Sequence, residues 1–180
     1  MIPSQVYATG LEAKYQKLVK YDQQHKGQQS LSMQANLYKD YKALANQGHG
    51  CAHNALTGYY WTGNVTSQKF DKVFSLATKA LKLGCKDALV TLGATYRYGV
   101  GVEINLNTAI EYYKKSAKHK NIYSIQQLVS IYKDTNKKDL MEAYHWLNEL
   151  AKLGDKKAKE ELKNCTFNGF FCEENMDKHF

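Results

Sequence analysis

The sequence predicts an all-α fold, specifically a right-handed α-solenoid of stacked antiparallel helix pairs. Three observations carry the prediction. Apolar and small residues recur at an offset of 36 positions. Each recurrence has helical spacing, i, i+4 and i+8. Helix breakers are scarce, with one proline (Pro3) in 180 residues, and 43% hydrophobic residues are enough for a core.

The elements follow in order. Residues 8 to 26 place Leu11, Tyr15 and Leu18 on one helical side but fit the 36-residue register poorly. They read as a divergent first helix or an N-terminal cap, paired with a second helix at about 30 to 46. The register then predicts repeats at 49–84, 85–120 and 121–154. N-terminal capping helices fill 1–48, a C-terminal capping helix and tail fill 155–180, and the whole of 1–180 is one solenoid domain.

Each repeat has a helix A and a helix B. Ala88, Leu92, Tyr96 and Gly99 align with Ala52, Leu56, Tyr60 and Gly63 behind them and with Ser124, Leu128, Tyr132 and Thr135 ahead. That is one face of a helix A, closed by a glycine able to take positive φ. Helix B ends at Gly48, Gly84, Lys120 and Gly154. Seven positions earlier stand Tyr41, Ala77, Tyr113 and Leu147, and eleven earlier Leu37, Val73, Ala109 and Ala143. Small residues such as Ala88 and Gly93 let neighbouring helices approach, and a lone pair leaves its stripe uncovered, so pairs stack.

The third copy departs from this pattern. Val129 replaces Gly93, Thr135 replaces Gly99, and the turn "KDTNKKDL" is two residues shorter, with Asn136 able to supply the positive φ. At the C-terminus, Phe167, Phe170 and Phe171 either cover the last helix face or form an exposed patch for a partner.

The repeats resemble the Sel1-like repeat, a branch of the tetratricopeptide-like superfamily. The best match is "ALVTLGATYRYGVGV" followed by "AIEYYKKSA", and "AYHWLNELAKLGDKKAKEEL" matches well at 143–162. The resemblance covers about residues 35 to 164. It implies a non-enzymatic scaffold that binds another protein on its concave, helix-A side. Small bacterial members implied by it include immunity proteins that block secreted, type VI-like toxins. An envelope adaptor that assembles other proteins is the alternative, and a hydrolase a more distant one. The implied compartment is the periplasm, with a leader removed before Met1, or else the cytoplasm. The start of the chain has no basic n-region and no apolar h-region.

No residues here carry enzyme chemistry. Gly99-x-Gly101 lacks the preceding strand and third glycine of a dinucleotide loop. The histidines at 25, 49, 53, 119, 145 and 179 show no arrangement for nucleophilic catalysis. The only metal-like cluster, "HGCAH" at 49–53, places Cys51 away from the line joining His49 and His53, so no metal and no cofactor are expected. A net charge of +8 is spread over lysines at outward helical spacings, as on a solvated surface, and not gathered into a nucleic-acid footprint. No apolar run is long enough to span a bilayer. Of the four cysteines, Cys165 and Cys172 flank a short loop that could close as a disulfide, the alternative being four free thiols.

The solenoid reading also predicts where a partner binds. The concave row contains Tyr59, Thr95, Tyr98, Gln127 and Asp134, with Trp61, Arg97 and Lys133 beside it. Trp, Tyr and Arg are common anchors of interfaces. The competing reading for Tyr59, Trp61 and Tyr98 is packing against the next unit.

Overall fold

The computed structural model describes the backbone of residues 4–134 and 139–168, and the side chains of 9–134 and 139–163. Every element among them is an α-helix: α1 (Ser4–Gln24), α2 (Leu31–Asn46), α3 (Gly50–Thr62), α4 (Phe70–Lys82), α5 (Ala88–Tyr98), α6 (Leu106–Ala117), α7 (Ile122–Asp134), α8 (Leu140–Lys152) and α9 (Lys156–Asn168). They form two compact units, Met1–Ala109 and Ile110–Phe180, with α6 starting at the end of the first.

In the first unit each helix from α1 to α5 packs on the next across a short turn, and α3 also packs on α5. The repeat positions are the buried ones. Ala52, Leu56, Ala88 and Leu92 on the A helices, and Leu37, Tyr41, Val73 and Ala77 on the B helices, are all buried. In the second unit α7 packs on α8 and α8 on α9. Its core holds Tyr113, Ser124, Leu128, Ala143, Leu147 and Ala158. Val129 is buried where the second copy has Gly93.

The helix ends follow from the backbone chemistry. Gly63 and Gly99 adopt left-handed φ of 73° and 70°, and their N–H groups donate to Tyr59 and Thr95 four residues back. Helix B ends at positive φ in Gly48, Gly84 and Gly154. Lys120 takes φ 59° at the same repeat position without being glycine. Gly101 matters for space as well as for φ, since a Cβ there would strike the Phe70 carbonyl at the start of α4.

One boundary changes. The first helix starts at Ser4 instead of residue 8 and ends at Gln24. The C-terminal helix expected after residue 155 is α9, which runs 13 residues, Lys156–Asn168. Thr135 and Asn136, the side chains of Cys165 and Phe167, and Cys172, Phe170 and Phe171 lie outside the described residues.

One covalent link joins elements far apart in sequence. Cys51, in the first turn of α3, is disulfide-bonded to Cys85 in the α4–α5 turn, with Cα atoms 5.0 Å apart. Free thiols at these two positions, the alternative left open by the sequence, do not describe the chain.

Candidate partner-binding surface

The surface is built at the C-terminal ends of α3 and α5, where the repeat places Trp61 and Tyr98. The two rings meet edge to face with centroids 6.5 Å apart. The Arg97 guanidinium carbon lies 5.4 Å from the centre of the Tyr98 ring. Tyr98 is 52% exposed, somewhat more than Tyr123 at 46% and Tyr21 and Phe70 at 42%, while Trp61 and Arg97 are half-buried. An aromatic pair with a stacked guanidinium offers a rigid apolar contact and a directed positive charge in one place.

The rest of the expected row is divided by burial. Thr95 is fully buried and its hydroxyl donates to the Leu92 carbonyl at 2.8 Å, so it is removed from the partner-facing set. At this helical position the side chain turns into its own helix, which the sequence spacing does not reveal. Tyr59 is wedged in an aromatic layer, edge-on to Tyr38 at 5.5 Å and tilted against Tyr41 at 6.5 Å. Burial, with the Asp22 charge adding to it, pushes its hydroxyl up to about 12. Packing therefore accounts for most of Tyr59. In the second unit, Gln127 is half-buried, Lys133 pairs with Glu161, and exposed Asp134 accepts a bond from Ser130 at 3.1 Å.

Sequence reasoning missed the tyrosine layer as a unit. Tyr15, Tyr38, Tyr41, Tyr59 and Tyr60 come from α1, α2 and α3, and the Tyr38 and Tyr60 hydroxyls are 3.0 Å apart. That contact, followed by burial, raises Tyr60 to about 12. Asp22 accepts from Tyr41 at 3.3 Å and from Gln29. A chain with fourteen tyrosines carried a signal for such a cluster, but not its location.

The two histidines of "HGCAH" make structural contacts. His49 caps α3, with Nδ1 accepting from the Ala52 N–H at 3.2 Å and Nε2 2.9 Å from Glu12. An accepting Nδ1 leaves the ring proton on Nε2, which donates to the carboxylate. The ring stacks on Tyr15 at 4.4 Å. His53 is buried and its Nδ1 donates to the His49 carbonyl at 3.0 Å. The α3–α5 seam above it is tied by Thr91, which donates to Asn54 at 2.9 Å.

The class is thus an all-helical repeat protein with Trp61, Arg97 and Tyr98 gathered at the ends of two A helices. The sequence matches no protein-family model and no curated protein. Solved structures do match. A protective antigen of uropathogenic Escherichia coli displaying an SLR fold is 23% identical, with a TM-score of 0.70 over 88% of this chain and 34% of that one. A Sel1 repeat protein from Oxalobacter formigenes is 22% identical, with a TM-score of 0.68 over 86% of this chain and 61% of that one. The chain thus spans about a third and three-fifths of the length of these two structures. Its fold is that of the Sel1-like repeat proteins.

Proposed function

We propose that the protein is a non-catalytic binding scaffold that engages a partner protein through the Trp61–Arg97–Tyr98 edge. The observation that carries this reading is a large, half-exposed tyrosine held by an aromatic neighbour and a guanidinium. The first unit has twelve Lys and Arg against six Asp and Glu, the second thirteen against eleven, so the positive excess favours an acidic partner surface beside the aromatic edge.

The specific form we propose is an immunity protein that binds a secreted bacterial toxin and blocks it by occlusion. An interface of about 1,600 Å² total is sufficient for tight binding. The Cys51–Cys85 disulfide supports an oxidising compartment, and so the periplasm. The test is to identify any secreted effector encoded by a neighbouring gene and to co-express it with this chain. The wild-type chain should restore growth and co-purify with the effector, whereas Trp61→Ala with Tyr98→Ala should do neither. Protection that survives both substitutions refutes the assigned edge. Co-purification without protection refutes the immunity role and favours an envelope adaptor.

A further inference from the structure

The residue that opens each A helix has a recurring task. His49, Asn121 and Asp155 each accept a bond from the backbone N–H three residues on, at 3.2, 2.9 and 2.9 Å. In the second copy this residue is Cys85. There the Ala88 N–H turns to the Cys85 backbone carbonyl, 3.2 Å away, and the sulfur is left for another use. Asp87, at the N-cap of α5, has helical backbone angles and makes no side-chain cap bond. The Asp139 and Asp155 carboxylates, by contrast, do cap their helices. One donor atom each from Cys51, Cys85 and Asp87 lie within 4.8 Å of one another.

We propose that, once the Cys51–Cys85 bond is reduced, these three side chains form a binding site for a thiophilic divalent cation of the zinc class. Two thiolates and a carboxylate match the donors that zinc selects, with solvent completing four-coordination. Asp87 is exposed and Cys51 half-buried, so the cation and its water have access. Backbone contacts beside the bond also hold the two helix ends close. Gly50 is seated on the α4–α5 turn so closely that a Cβ there would lie 2.9 Å from both the Leu83 Cβ and its carbonyl oxygen. The turn is itself fixed by Gly84 N–H to Leu81 and Cys85 N–H to Ala80, at 2.9 and 3.0 Å. The same two helix ends are thus tied by a disulfide when oxidised and by a metal when reduced.

The chemistry balances with a phosphine reductant. The sulfur–sulfur bond breaks, phosphorus gives two electrons and takes the oxygen of one water, and the two hydrogens of that water go to the sulfurs. Metal uptake then releases both thiol protons to solvent.

The test uses the full chain carrying Cys165→Ser and Cys172→Ser, reduced with a phosphine under nitrogen and titrated with cadmium, then zinc. The expected result is a thiolate-to-cadmium charge-transfer band that saturates at about one ion per chain and is displaced by zinc. Cys51→Ser with Cys85→Ser should abolish the band, and unreduced protein should lack it. Asp87→Asn should weaken binding about 10-fold or more. Failure of the reduced, helical protein to develop the band overturns the proposal. So does a band that survives loss of both cysteines, or an unchanged affinity in Asp87→Asn. Loss of helical circular dichroism on reduction alone also overturns it, because the site requires the folded turn.

Discussion

Removing the Cys51–Cys85 bond tests how the first unit is held together. The bridge spans a sequence separation of 34 residues. In the chain-entropy account, closing a loop of that size lowers the entropy of the unfolded chain by about 13 cal/mol/K, or about 3.8 kcal/mol at 25 °C. That is a large part of the 5–15 kcal/mol typical of a folded domain. With a urea dependence of about 2 kcal/mol/M, the midpoint should fall by about 2 M on reduction. The assay is urea unfolding followed by tryptophan fluorescence in a Trp146→Phe background, so that Trp61 reports the first unit alone. Cys51→Ala with Cys85→Ala should start near the reduced midpoint and not move when reductant is added. A shift below about 0.5 M would mean that the contacts of Gly50 and the α4–α5 turn already confine the unfolded chain. An equal reductant effect in the double variant would place the sensitive bond elsewhere. Either result refutes the reasoning.

Other predictions follow from single positions. Ser124 occupies the place of Ala52 and Ala88, and its fully buried hydroxyl has no hydrogen-bond partner among the described residues. Ser124→Ala should therefore stabilise by about 1 kcal/mol, read as a rise of about 3 °C in Tm. Lys120 holds φ 59° where the other copies use glycine, so Lys120→Gly should gain about 1 kcal/mol in urea unfolding. Gly101→Ala should cost more than about 2 kcal/mol, since it adds positive-φ strain to a collision with the Phe70 backbone, and circular dichroism melts would show it. Burial holds the His53 imidazole below its ordinary value of 6.5. Between the two values the unfolded chain binds more protons, so stability falls as pH drops below about 6.5 and levels off beneath the folded value. The urea midpoint against pH should show this slope, and His53→Gln should flatten it.

Much of the fold is legible because a solenoid writes its contacts locally. Ala88, Leu92 and Tyr96 meet neighbours about one repeat away, so the same positions are constrained again 36 residues on, and Gly99 and Gly84 mark where each helix must stop. The functional surface is less legible. Periodicity places Thr95 and Tyr98 on one row, yet Thr95 is fully buried while Tyr98 is half-exposed. Spacing along one helix gives direction only, and exposure depends on which neighbours cover that direction. The tyrosine layer has the same cause, because Tyr15, Tyr38 and Tyr59 belong to three different helices.

The sequence by itself determined the helix order, the repeat positions that become core and the glycines that end helices, because each depends on residues close in the chain or repeated at a fixed offset. Only the tertiary structure decided that Cys51 meets Cys85, that Asp87 stands beside them without capping its helix, and that His49 stacks on Tyr15. These pairings depend on how closely successive A helices approach. Gly50 packs against the backbone of the α4–α5 turn, and no glycine stands at its repeat positions, which hold Lys86 and Ile122.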